Sequence, residues 1–271
     1  MPELPEVETT RRGIAVHVTG KRVTRVIVRT PDLRWPVPGR LAREITGQTI
    51  EAVTRRAKYL LLKTGSGTAI LHLGMSGSLR IVDAGLPAAK HDHIDIVLNG
   101  KRALRYTDPR RFGSLHWTRG QAERHRLLRD LGPEPLSSGL TGDYLYATSR
   151  GRRVAIKNFI MNSHIVAGIG NIYACEALYM AGIHPQRAAG RISKKKYALL
   201  AEVIKEVLSD SIAQGGTTLR DFVNGDGEPG YFKLHLNVYG KTGEPCLSCR
   251  VPIRAIRQGQ RSTFYCPKCQ N

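Results

Sequence analysis

The 271-residue sequence predicts an α+β protein of more than one domain. Three observations carry that reading. Residues 1–118 read mainly as short strands separated by Gly, Pro, Asp and Asn. From residue 143 onward the apolar spacing is helical. Residues 233–271 form a short, basic, cysteine-containing tail segment with seven Lys/Arg and one acid.

The elements follow in chain order. Pro5 suits the first turn of a helix, and Glu6 and Glu8 suit its positive end. Strands are expected at Val23–Arg29, Ile50–Lys63, Thr68–Leu73, Ser78–Val82, His93–Leu98, Ala103–Tyr106 and Gly113–Trp117. Ile94, Ile96 and Leu98 alternate with Asp95, Val97 and Asn99, as in a half-buried strand. Many short strands at close spacing point to a sandwich or a barrel. The segment 132–143, GPEPLSSGLTGD, reads as the domain connection. Ser193 suits a helix cap, with Tyr197, Leu200, Ile204, Val207 and Leu208 as the apolar stripe behind it. Gly215–Tyr231 is rich in Gly and polar residues and reads as a long loop.

Charge narrows the partner. There are 42 Lys+Arg against 22 Asp+Glu, a formal +20. Bases outnumber acids 24 to 12 up to residue 130 and 18 to 10 after it, so the excess is spread over the whole chain. A spread basic excess rich in Arg favours nucleic acid over an anionic membrane surface. No apolar run approaches the roughly 18 residues of a membrane span; Tyr59–Leu62 and Ala69–Leu73 come nearest and are short. MPELPEVE lacks a basic start followed by an apolar stretch, so a cytoplasmic location without a secretory signal is expected.

Four of the five cysteines read Cys246-x2-Cys249-x16-Cys266-x2-Cys269. Two such knuckles on a hairpin match the spacing of a zinc site. With all four positions used as ligands, the site is structural and closed, and one Zn2+ per chain is expected. Disulfides are disfavoured without a secretory signal. Cys175 is left as a buried thiol.

Other motifs fail on spacing. AGIGNIY (167–173) places Tyr173 where a dinucleotide fingerprint needs its third Gly. Its glycines suit a turn that presents backbone N–H groups to phosphate instead. His91 and His93 in KHDH read as polar or anion-contacting residues rather than a metal pair.

In order along the chain, MPELPEVET, RRAKYLLL (55–62), HLGMSGSLR (72–80), KHDH (90–93), YTDPRRFG (106–113), LGPEPL (131–136), GIGNIYA (168–174), GGTTLRDF (215–222) and QRSTFYCPKC (260–269) resemble the formamidopyrimidine-DNA glycosylase (Fpg or MutM) family. The resemblance covers essentially the whole chain. It implies a catalytic N-terminal β-sandwich (1–131), a helical helix-two-turn-helix domain with a lesion-covering loop (132–232) and a zinc-bearing β-hairpin finger (233–271). It implies excision of oxidised purines, 8-oxoguanine and formamidopyrimidines, from double-stranded DNA, followed by cleavage at the abasic site. The damaged nucleotide is flipped out of the duplex, as chemistry on a paired base requires.

The same resemblance implies site residues. Met1 is removed and Pro2 becomes a free α-amine, which titrates near 8 and so has an unprotonated fraction at cellular pH. Glu3 acts as general acid/base. Lys58 contacts phosphate and donates the proton for β-elimination, and Arg261 assists δ-elimination. Glu6 supports the amine. Asn171, His91, Arg110 and Arg152 match DNA-contacting positions. Met75, Arg110 and Phe112 match a trio that fills the gap left by a flipped base. Residues 162–163 are Asn-Ser where the family commonly carries an acid followed by Gln or Asn, which leaves the local capping there open. A monomer is expected. The competing readings are an endonuclease VIII-like enzyme for oxidised pyrimidines, which typically starts PEGPE where this chain has Leu4, and a non-catalytic DNA-binding relative.

Overall fold

In the computed structural model, residues 2–215 and 236–271 are described. They cluster as two units, one running to Arg129 and the other comprising Asp130–Gln214 with 236–271. Gly215–Tyr231, expected as a lesion-covering loop, falls outside the described residues except for Gly215.

In the first unit, α1 (Leu4–Val18) opens the chain with Pro5 in its first turn. Val7, Ile14 and Val18 lie on its buried face. Two antiparallel four-stranded sheets follow. One has the order β1 (Val23–Val28), β6 (Asp92–Leu98), β7 (Arg102–Thr107), β5 (Ser78–Asp83). The other has the order β2 (Ile50–Arg56), β3 (Tyr59–Thr64), β4 (Gly67–His72), β8 (Ser114–Thr118). A short α2 (Arg40–Ile45) lies between β1 and β2 in the chain. Leu60, Leu62, Leu71 and Leu115 of one sheet share a core with Ile94, Ile96, Leu98 and Leu104 of the other, which makes the pair a β-sandwich.

Two elements depart from the sequence reading. The run Ile50–Lys63 is a hairpin rather than one strand: Ala57, at φ +51°, turns the chain between Arg56 and Tyr59. Strand β6 is buried on both faces, not on one. Its Asp95, 1 % exposed, is clamped by Arg105 through Nε at 2.8 Å and Nη2 at 2.9 Å, with Arg29 at 2.7 Å. Arg105 also donates to the carbonyls of Leu86 and Pro87, so that loop covers the polar face. A buried charge is tolerable here because it is paired and fully hydrogen-bonded.

The second unit carries α3 (Gly142–Ser149), α4 (Ile156–Ile160), α5 (Asn171–Met180) and α6 (Lys194–Ala213). Thr141 caps α3 and Ser193 caps α6, each side chain accepting from the third residue of its helix. Asn162 resolves the local capping left open above: its Oδ1 accepts from His164 N–H at 3.0 Å, closing a side-chain turn. Tyr197, Leu200, Ile204 and Leu208 pack on α5 through Tyr173, Ala174 and Leu178. The hairpin β9 (Arg254–Gln258) and β10 (Arg261–Tyr265) turns at Gly259 and Gln260, both at positive φ.

Candidate active site and zinc centre

Pro2 and Glu3 precede the first turn of α1, and both are buried. Glu3 is the N-cap. Its backbone N–H donates to Glu6 Oε2 at 2.8 Å, and its own carboxylate accepts from the Glu6 N–H. This reciprocal box fixes the backbone of Glu3 and so the direction from which Pro2 enters the helix. One turn on, Glu8 accepts from Arg11 at 2.8 Å, Arg12 at 2.9 Å and Arg55 at 3.2 Å. Burial alone would raise this carboxyl; the hydrogen bonds from Arg11 and Arg12 and the charge of Arg55 outweigh it and hold it at about 2. Arg55 belongs to β2, so the network fastens α1 to the hairpin whose turn carries Lys58.

Lys58 is half-buried in that turn. The ring of Tyr59, its neighbour, lies 4.8 Å from the ring of His72. Gly74 N–H donates to His72 Nδ1 at 2.9 Å, which leaves the proton of the neutral ring on Nε2. Burial, then the charges of Lys58 and Arg34, push His72 down to about 4. A neutral N–H donor beside two cations suits a phosphate oxygen. His72 lies in the quoted HLGMSGSLR motif, yet nothing in the spacing singled it out.

Met75, Arg110 and Phe112 are brought onto two adjoining loops. Asp108 joins them. Its Oδ1 accepts from Ser76 Oγ at 2.7 Å and Arg110 N–H at 3.2 Å; its Oδ2 accepts from Gly113 N–H at 2.8 Å and Tyr106 O–H at 2.9 Å. The loops approach so closely that a Cβ on Gly74 would lie 2.4 Å from Gly113 N. Asp108 is fully buried, whereas Met75 is 40 % and Phe112 43 % exposed. The Arg110 guanidinium stands 4.8 Å over the Phe112 ring. The carboxylate is buried while the apolar side chains of Met75 and Phe112 stand exposed, which is not the environment of core residues.

His91 is half-buried, with its carbonyl accepting from Asp108 N–H. His93 is buried, with Nε2 bonded to the Asp108 carbonyl at 2.7 Å and Nδ1 to Thr30 Oγ1 at 3.0 Å. Both of its nitrogens are used within the protein, so KHDH is not a metal pair.

In the second unit, Asn171 and Arg261 are separated by 90 residues in sequence yet fastened together. Asn171 opens α5, and its Nδ2 donates to the carbonyl of Ser262, next to Arg261, at 2.9 Å. Lys157, 1 % exposed, donates to Asn171 Oδ1 at 2.5 Å and to Thr263 Oγ1 at 2.6 Å. Arg261 itself is exposed at the start of β10. Arg152 is also exposed; its Nε donates to Thr148 O at 2.8 Å and its guanidinium stands 5.7 Å over Phe159. Glu176 is a further buried carboxylate, accepting from the backbone of Asn237, Val238 and Tyr239 at 2.7–2.9 Å. It anchors the turn segment that leads into the cysteine hairpin.

The four cysteine sulfurs converge, all within 4.8 Å of one another. Cys246 and Cys269 are 3.9 Å apart and Cys249 and Cys266 3.4 Å apart. A tetrahedron with zinc–sulfur bonds of about 2.3 Å has edges of about 3.8 Å, so the four thiolates fit one ion. Tyr179 of α5 reaches Cys246 Sγ at 3.2 Å and Ser248 Oγ at 2.9 Å.

The chain matches three family models in succession: the formamidopyrimidine-DNA glycosylase N-terminal domain over residues 1–115, the H2TH domain of the same enzymes over 131–223, and the zinc finger found in FPG and IleRS over 243–271. It is 61 % identical to the formamidopyrimidine-DNA glycosylase of Thioalkalivibrio sulfidiphilus over the full length of both chains. The chain belongs to the formamidopyrimidine-DNA glycosylase family. The enzyme of that name from Stutzerimonas stutzeri is 59 % identical, again over both full lengths. Among solved structures, Lactococcus lactis Fpg in complex with N7-benzyl-Fapy-dG DNA aligns with a TM-score of 0.91 at 33 % identity, covering both chains fully. The MutM (FPG) protein of Thermus thermophilus aligns with a TM-score of 0.88 at 36 % identity over 99 % of this chain and 98 % of that one.

Within this formamidopyrimidine-DNA glycosylase fold, Cys246, Cys249, Cys266 and Cys269 hold one structural zinc. Among the described residues no helix is long and apolar enough to cross a membrane. Asp108, Lys157 and Glu176 are the positioning residues that the sequence reading missed. Asp108 sits inside the quoted motif YTDPRRFG, so a buried organising role was readable there as one acid among exposed bases. Lys157 had no comparable signal, since its partners come from 14 and 106 residues away.

Proposed function

We propose that this chain flips oxidised purines out of double-stranded DNA, excises them with the amine of Pro2, and then cuts the abasic site by β- and δ-elimination. The Pro2 nitrogen bonds to C1′ as the glycosidic bond breaks and the base departs with its electron pair. Glu3 delivers a proton to the sugar ring oxygen as the ring opens to an iminium. That cation acidifies the C2′ protons; loss of one expels the 3′ phosphate, with Lys58 as the proton donor. Arg261, gripping the flanking phosphates, assists loss of the 5′ phosphate in the second elimination. His91, Arg110, Arg152 and Asn171 hold the DNA, and Met75, Phe112 and Arg110 occupy the vacated stack and satisfy the orphaned base. The zinc holds the cysteine knuckles of the hairpin whose strand carries Arg261 and takes no part in bond making. The enzyme acts as a monomer in the cytoplasm.

The observation that carries this reading is the seat of Pro2: a buried residue whose neighbour Glu3 is locked to Glu6 at the positive end of α1. That end disfavours an ammonium and so favours the free amine. The test is an uncleaved extension before Pro2. Excision is lost while binding to lesion-bearing duplex remains. Full-rate excision by a chain proven to keep the extension contradicts the amine mechanism.

A further inference from the structure

The catalytic unit has a second basic feature outside the residues assigned above. At the far end of β8 a cavity of about 620 Å3 is lined by Thr118, Gly120, Gln121, Arg124, His125 and Arg126. Neither Arg124 nor Arg126 has a carboxylate partner among the described residues. Nearby Arg119 is different, since Glu44 takes it in two hydrogen bonds of 2.9 Å. The Arg126 guanidinium lies 4.9 Å over the ring of Trp35, which is 39 % exposed. Stacking on a ring fixes the guanidinium plane and leaves its N–H edges free.

His125 adds an imidazole to the same lining. His116, two residues before Thr118 on β8, is 6 % exposed, and its Nε2 has no hydrogen-bond partner among the described residues. Its ring is 5.5 Å from that of His125, a cavity-lining residue. The His116 Nε2 is sealed from solvent and His116 is not part of the lining, so the occupant is read from Arg124, His125 and Arg126. Two guanidiniums without carboxylate partners among the described residues and the His125 imidazole make an anion the fitting occupant.

We propose that this cavity seats a backbone phosphate of the bound duplex, at a distance from the lesion. β8 starts directly after the Arg110–Gly113 loop and ends at the cavity. Its five residues span about 17 Å at ~3.4 Å each. Successive phosphates of one strand advance ~3.4 Å along the duplex axis, so the length of β8 sets an upper limit of about five base pairs between the seat and the flipped nucleotide.

The experiment compares the enzyme with the pair Arg124→Ala/Arg126→Ala on lesion duplexes carrying three or ten flanking base pairs on each side, at 50 and 200 mM salt. On the long duplex the slope of log affinity against log salt becomes shallower by about one per contact removed. The wild-type loss of affinity between the two salt concentrations is then about 3.5-fold larger than the variant's for each contact. On the short duplex the two enzymes bind and excise alike. The pair Arg124→Lys/Arg126→Lys, which keeps the charge, restores most of the slope. An unchanged slope on the long duplex overturns the proposal, as does an equal change on both lengths. Inorganic phosphate is titrated separately against the His125 ring resonances; saturation there without any duplex-length effect assigns the cavity to a free anion and also overturns it. Should the alanine pair melt early, Arg124→Gln alone is measured in the same way.

Discussion

Glu6 Oε2 accepts from the backbone N–H of Glu3 at 2.8 Å, so the residue proposed to deliver the proton is held by a second carboxylate one turn away. This bond places two acids in different roles at one helix end. Glu3 is proposed to touch the substrate; Glu6 holds the protein's own backbone.

Glu6→Ala removes the reciprocal cap. The expected cost is about 0.5–2 kcal/mol of stability, the usual range for a lost N-cap. Excision falls further than binding, because Glu3 and Pro2 lose their fixed entry into the helix. Thermal melting together with single-turnover excision and a binding titration checks both parts. Equal losses in binding and excision would reduce Glu6 to a stability residue.

Asp108 accepts from four donors, and its substitution is expected to be severe. In Asp108→Asn the amide NH2 must face hydrogen atoms that already donate. The expected destabilisation is about 2–4 kcal/mol, with hydrogen bonds to a charged group at about 1.5–3 kcal/mol each and partial relaxation of the loops. Discrimination between lesion-bearing and undamaged duplex should shrink, since Met75, Arg110 and Phe112 are displayed by the loops that Asp108 joins. Chemical denaturation and paired binding titrations test this.

Cys249→Ala removes one of four sulfurs from a closed site. Zinc content, measured by metal analysis, should fall toward zero and DNA affinity should drop. The β-sandwich does not use the ion, so its near-ultraviolet signal and its own melting transition should persist. Retention of a full equivalent of zinc would contradict the four-cysteine site.

Acid should weaken the first unit in two steps. His72 and His116 are each pushed down to about 4, from 6.5, chiefly by burial; Lys58 and Arg34 add to it at His72, and His125 and Arg126 at His116. The unfolded chain therefore takes up these protons first, and stability declines as pH falls from 6.5 to 4. Glu8 has a folded value of about 2 against 4.5, so a second decline runs from 4.5 toward 2. Denaturant midpoints across pH 7 to 3 should show both limbs. His116→Gln should flatten the upper one and Glu8→Gln the lower one.

Much of the fold was legible because the strands are punctuated. Ile94, Ile96 and Leu98 point into the core as their alternation requires, and Ser193 caps α6 as its position before the apolar stripe requires. The turn at Ala57 was not legible, since an alanine at positive φ carries no turn signal. The burial of Asp95 was hidden for a different reason. Its partners Arg29 and Arg105 are 66 and 10 residues away, and only the sheet order brings them together. The site follows the same division. Residues that meet DNA or zinc sit in compact motifs and could be read. Lys157 and Glu176, which hold those motifs in place, act through contacts that exist only in the folded chain.

Borohydride trapping tests the central claim most directly. The enzyme is incubated with duplex DNA carrying one 8-oxoguanine, reductant is added, and the adduct is mapped by peptide mass. The account predicts one covalent adduct, on the nitrogen of Pro2, in a chain that has lost Met1. An adduct on a lysine side chain, or none despite a confirmed free Pro2, would contradict it.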